Sequence, residues 1–114
     1  MIKVGILGYG NLGRGVESAL AQNADMELVG VFTRRDPASL KVASGAPVYH
    51  TDDAEKMKEQ IDVMIICGGS ATDLPKMTPK YAEMFNVVDS FDTHAHIPEH
   101  FAAVDAAAKK AGKI

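Results

Sequence analysis

Apolar positions recur along the chain in two rhythms. Met1 to Leu7 is an apolar run too short for a helix and reads as a strand. Val16, Ala19 and Leu20 then recur at helical spacing through about Gln22, with Arg14 and Glu17 on the wet face. Asn23-Ala24-Asp25 breaks that pattern, and Glu27 to Phe32 forms a β-rich stretch ending at Thr33-Arg34-Arg35. Asp36 to Ala46 reads as loop, Pro47-Val48-Tyr49 as a short strand, and Asp52-Asp53 as the cap of a brief helix through Met57. Ile61 to Cys67 is a buried strand followed by Gly68-Gly69-Ser70. Asp73 to Met84 predicts a helix that tolerates Pro75 in its first turn and is distorted or restarted at Pro79. Asn86 to Asp89 is another short strand. Ile97-Pro98-Glu99 opens a last helix through Lys110, with Gly112 just past its end. Strands alternating with helices predict an α/β fold, a Rossmann-type doubly wound parallel sheet covered on both faces in one domain, with strand order 3-2-1-4-5.

The join between the first strand and the first helix carries the strongest chemistry. Gly8-Tyr9-Gly10-Asn11-Leu12-Gly13 is a G-x-G-x-x-G in the strand-to-helix context that a dinucleotide site requires. In such a motif the first glycine makes the turn, the second admits a pyrophosphate and the third packs helix on sheet. The anion then rests on unpaired N–H groups at the helix N-terminus. Cofactor choice falls at the tip of the second strand, about 20 residues further on, where NAD sites carry an Asp or Glu. Here the tip reads Phe32-Thr33-Arg34-Arg35, without that acid. Paired arginines suit a 2′-phosphate, which points to NADP, and Thr33 can donate to the same group. Two alternatives stand beside this: a solvated charge run, and Asp36 as a ribose-binding acid placed late.

Composition narrows the classes. The 114 residues are 46% hydrophobic and 24% charged, as expected of a single soluble domain. A net charge of −3 offers no broad basic surface, so nucleic acid is not an expected partner. No apolar run is long enough to span a membrane, and the first residues match no signal peptide. One cysteine, Cys67, rules out an internal disulfide and suits a reducing cytoplasm.

With these residues in hand, the sequence resembles the meso-diaminopimelate dehydrogenases, NADP-dependent enzymes that deaminate the D-centre of meso-2,6-diaminopimelate. The resemblance rests on Gly8-Tyr9-Gly10-Asn11-Leu12-Gly13-Arg14, Phe32-Thr33-Arg34-Arg35 and Cys67-Gly68-Gly69-Ser70-Ala71-Thr72-Asp73-Leu74-Pro75. It continues through Val88-Asp89-Ser90-Phe91-Asp92-Thr93-His94 and Ile97-Pro98-Glu99-His100, in the family's order. It implies that Tyr9 to Leu12 hold the pyrophosphate and Thr33, Arg34 and Arg35 the 2′-phosphate. Cys67, Gly68, Gly69, Ser70, Ala71 and Thr72 would pass under the ribose and nicotinamide, with Ser90 and Phe91 beside them. Asp92 would face the substrate's D-centre amine. Thr93 stands where the family commonly has Asn. Family members continue past Gly112-Lys113-Ile114 into a substrate-binding and dimerisation domain, and the full-length enzyme is expected to be a homodimer. The resemblance thus implies an N-terminal NADP-binding portion, inactive by itself.

The remaining polar residues keep two readings. Cys67 reads first as a small core residue at a strand end, and Ser70 and Thr72 as helix caps or cofactor contacts. His94, His96 and His100 suggest a metal, yet the cysteine lies in another strand and His100 falls inside a helix, so no metal site is expected. Asp89 and Asp92 bracket a strand end, either meeting a cationic amine or standing in solvent. Two functions follow: the cofactor half of an amino-acid dehydrogenase, or a stand-alone NADP-binding or sensing module without chemistry.

Overall fold

The computed structural model of the chain describes residues 1–69 and 71–114. Strands β1 (Ile2–Leu7), β2 (Met26–Thr33), β3 (Val48–His50), β4 (Val63–Ile66) and β5 (Asn86–Asp89) form one sheet, ordered β3-β2-β1-β4-β5. Every neighbouring pair is parallel, as the alternating pattern predicts. Parallel neighbours need crossovers, supplied here by helix α1 (Asn11–Ala21) between β1 and β2 and helix α2 (Leu74–Ala82) between β4 and β5. A 3₁₀ segment, Thr51–Met57, bridges β3 to β4, and helix α3 (Ile97–Ala111) follows β5.

Both faces of the sheet are covered, which is why its strands read as continuous apolar runs. On one face Val4, Ile6 and Val31 pack with Leu20 of α1. On the other, Leu7, Phe32, Met64 and Ile66 pack with Leu74 and Tyr81 of α2 and with Ala54 and Met57 of the 3₁₀ segment. The β1–β2 register slips once: Val4 pairs with Leu28, but Gly5 pairs with Gly30. One extra residue, Val29, is absorbed as a bulge.

Several details depart from the sequence pattern. Glu17, expected on the wet face of α1, is buried, whereas Ala19 is exposed. The brief helix is 3₁₀, and its cap is His50, whose Nδ1 accepts the Asp52 N–H at 3.1 Å; Asp52 and Asp53 lie in its first turn. Helix α2 runs unbroken across Pro79, held by burial of Leu74, Thr78, Tyr81 and Ala82. Its N-cap is Asp73, so Thr72 is not the cap, and Ser70 lies outside the described residues. Helix α3 ends as expected at Gly112, whose φ of 71° closes the C-terminus in the left-handed region. Among the described residues, no helix is long and apolar enough to cross a membrane.

Candidate functional site

The C-terminal ends of β1, β2 and β4 open onto a cleft of about 300 Å³. It lies where the strand order turns back on itself, the crevice in which doubly wound sheets take ligands. Its floor is the glycine turn. Gly8 has φ 97°, and a Cβ there would meet the Cys67 carbonyl oxygen at 2.7 Å. A Cβ at Gly13 would sit 2.3 Å from the Gly8 carbonyl oxygen, so only glycine lets α1 approach this closely. Gly10 differs: nothing of the protein lies within 4 Å of its would-be Cβ. The protein itself therefore does not need a glycine there, and the space above it faces the cleft. Helix α1 begins without a side-chain cap and without an acid in its first turn, leaving its positive end open to an anion.

The β2 tip supplies the opposite wall. Thr33, Arg34 and Arg35 all line the cleft. Thr33 is buried, and its hydroxyl oxygen accepts the Arg35 N–H at 3.1 Å, fixing the tip. Asp36 is turned to local work: Oδ1 accepts the Ala38 N–H at 3.0 Å and caps the turn Pro37–Ser39. The late acid is thus committed to its own loop, away from the cleft lining. Cys67 closes the base of the cleft beside Gly68 and Gly69. Burial pushes its thiol up to about 11, which suits a packing role rather than a nucleophile.

Of the residues singled out in the sequence, the cleft gathers Gly8, Tyr9, Gly10, Thr33, Arg34, Arg35, Cys67, Gly68 and Gly69. Asn11 and Leu12 are exposed on the first turn of α1, beside the lining, and Gly13 is buried behind it. Ala71 lies in a second cleft with Phe91 and Thr93, between the starts of α2 and α3. Thr72 is exposed in the turn before α2; Ser90 and Asp92 are exposed after β5. His94 and His96 sit in an exposed 3₁₀ turn, and His100 is inside α3.

Two side chains, Asp73 and Glu17, were not legible as site residues. Asp73 reaches across the cleft mouth: Oδ1 meets the Arg34 guanidinium at 3.3 Å, and Oδ2 accepts the Gly69 N–H at 3.1 Å. The Gly69 N–H, with smaller help from Arg34, holds its carboxyl below the ordinary range. Glu17 fastens the 36–46 loop to α1, accepting from the Tyr9 hydroxyl at 2.5 Å, from the Ser44 N–H at 3.0 Å and from the Ser44 hydroxyl. Burial alone would raise its carboxyl, but these bonds hold it below its usual value. The Tyr9 hydroxyl also accepts the Ala43 N–H at 3.1 Å, so one tyrosine joins the glycine turn to that loop. Asp89 pairs with His100, and both are largely buried.

A family model described as an oxidoreductase family with an NAD-binding Rossmann fold matches residues 2–110. The chain belongs to this oxidoreductase family. Within it, the chain is 69% identical over 113 residues to the meso-diaminopimelate D-dehydrogenase of Lysinibacillus sphaericus and 43% identical to that of Corynebacterium glutamicum. Those matches cover 99% of this chain but 35% and 34% of the relatives, so the chain spans about a third of their length. Among solved structures, an engineered D-amino acid dehydrogenase bound to NADP+ superposes with a TM-score of 0.91 at 44% identity, covering 97% of this chain and 34% of that one. A mutant meso-diaminopimelate dehydrogenase from Clostridium tetani, with diaminopimelate, superposes with a TM-score of 0.89 at 52% identity, covering 99% of this chain and 35% of the other. The sequence reading of family and fold agrees with these findings.

Proposed function

We propose that this chain binds NADP(H) in the glycine cleft and is the cofactor-binding part of an enzyme that oxidatively deaminates the D-centre of meso-2,6-diaminopimelate. The observation that carries this reading is the β2 tip: two arginines and a buried threonine face the cleft, and the nearby acid, Asp36, is spent on its own turn. The residues fit the cofactor. The open space above Gly10 and the uncapped start of α1 suit a pyrophosphate. Arg34 and Arg35 suit a 2′-phosphate, which a guanidinium binds through paired, charge-assisted hydrogen bonds. Gly68, Gly69, Ser70, Ala71 and Thr72 would run beneath the ribose and nicotinamide.

When bound, the cofactor supplies a hydride acceptor: the substrate carbon loses hydride, its amine becomes an imine, and water releases ketone and ammonia. Asp92 would hold the cationic amine through charge attraction from the exposed segment that follows β5. Protein groups in such chemistry serve mainly to orient and to stabilise charge. The substrate-binding and dimerisation parts of such an enzyme would lie outside the third of the length that these residues match.

Calorimetric titration with NADP+ and NAD+ tests the cofactor assignment, with preference for NADP+ expected and equal affinities refuting it. Joining this chain to the C-terminal remainder of the Lysinibacillus sphaericus relative tests the reaction. The chimera should form NADPH from meso-diaminopimelate, and the 114-residue chain alone should not. Asp92→Ala in the chimera should impair turnover and spare NADP+ binding. A chimera that binds NADP+ without turnover would favour a binding module instead.

A further inference from the structure

The end of β5 is held by groups that the glycine cleft does not use. Asp89 closes β5, and its Oδ2 accepts the Thr78 hydroxyl of α2 at 2.7 Å and meets Nε2 of His100 from α3 at 2.7 Å. Its other oxygen accepts the Phe91 N–H at 3.2 Å. The carboxylate is ionised at neutral pH and can only accept, so Nε2 of His100 carries the proton. The same imidazole lies flat on the Phe91 ring, with centroids 4.0 Å and planes 7° apart. The His100 side chain is 9% exposed and that of Asp89 16%, so water competes little for these contacts.

We propose that His100 is a positioning residue: by bonding Asp89 and stacking on Phe91, it fixes the strand-end segment that carries Asp92. The two anchors are two residues apart, and Asp92 follows the second directly. Ser90 to Thr93 runs between the end of β5 and the 3₁₀ turn His94–His96, and the Asp89–His100 bond and the Phe91–His100 stack bracket its start. The stacked pair also forms a wall of the second cleft, with Ala71, Pro75 and Thr93. A substrate held there would meet a preset segment rather than a loop that must be ordered on binding. Such presetting matters because misplacement by about 1 Å costs about a hundredfold in rate. The inference rests on the reading of Asp92 given under the proposed function.

The test compares His100→Ala, His100→Phe and His100→Gln in the chimera described above. Alanine removes both contacts, phenylalanine keeps the stack without the donor, and glutamine keeps an N–H able to reach Asp89. The alanine and phenylalanine variants should lose at least about tenfold in kcat, with KM for NADP+ shifted by less than about threefold. Glutamine should recover part of the loss. An alanine variant within about twofold of the parent kcat, or glutamine no better than alanine, overturns the proposal. Amide exchange at Phe91 and Asp92 in this chain gives a second readout, expected to be faster in His100→Ala and slowed again in His100→Gln. If the parent chimera is inactive, the proposed reaction fails, and unchanged exchange at those two amides separately refutes the positioning role.

Discussion

The three glycines of the first turn should separate cleanly when each is changed to alanine. At Gly8 the new side chain must adopt a positive φ of 97° and push against the Cys67 carbonyl oxygen at 2.7 Å. A left-handed residue costs about 1–2 kcal/mol and overpacking against backbone about 1–3 kcal/mol, together about 2–5 kcal/mol. At Gly13 the helix gains nearly 1 kcal/mol in propensity from alanine, but the contact with the Gly8 carbonyl at 2.3 Å opposes it, leaving a net loss of up to about 2 kcal/mol. At Gly10 the φ of −94° suits any residue and the space is open, so stability should change by less than about 0.5 kcal/mol. Cofactor affinity should fall nonetheless, because the methyl occupies the approach to the pyrophosphate. Urea unfolding reads the first quantity and calorimetric titration of NADP+ the second. For a domain of this size the Gly8 change should lower Tm by roughly 10 °C or more. A Gly10→Ala variant that unfolds as readily as Gly8→Ala, or that binds NADP+ like the parent, would refute the division between structural and ligand-facing glycines.

Two further outcomes follow from the polar contacts. Arg34→Ala should weaken NADPH binding by about 1–2 kcal/mol, less than a fully buried charged pair because the guanidinium is mostly exposed and already shared with Asp73, and should leave NADH nearly unchanged; equal losses in a paired titration would refute the phosphate contact. Glu17, Asp73 and Asp89 are all held below their ordinary range in the folded chain, so their contribution is complete above about pH 5 and is lost as pH falls below about 4, where the unfolded chain takes up protons first. Glu17→Gln should flatten the dependence of the urea midpoint between about pH 3 and 5, and an unaltered slope would show that this carboxylate is not ionised in its network.

What the sequence disclosed was what short segments decide. The glycine turn and the five strands depend on residues adjacent in the chain and are found where the pattern puts them, while the strand order follows from the doubly wound fold class. The misreadings involve long-range partners. Glu17 looks like a solvent-facing helix residue until Ser44, 27 positions on, is brought against it. Asp73 and Arg34 are 39 residues apart and meet because β4 and β2 flank β1. The Asp89–His100 pair depends on α3 folding back beside α2. Of these, only a charged residue at an apolar helix position, Glu17 close to Val16 and Leu20, could have been noticed beforehand. Pro79 misled in the other direction: local chemistry predicts a break, and the buried face of α2 overrides it.

The bulge in β2 acts as a phase shift. Before Val29, the even-numbered Met26 and Leu28 face α1; after it, the odd-numbered Val31 does, and Phe32 turns to the opposite core. Side chains alternate faces along a strand, so one added residue exchanges the two sides for everything downstream. Thr33 therefore shares a side with Val31, and Leu7 of β1 ends opposite Phe32, with Arg34 and Arg35 continuing into the cleft wall. The residues that line this wall of the cleft are thus indexed by a miscount four positions upstream of the tip. Deleting Val29 would leave the same Thr-Arg-Arg letters in the chain but exchange the faces on which their side chains emerge.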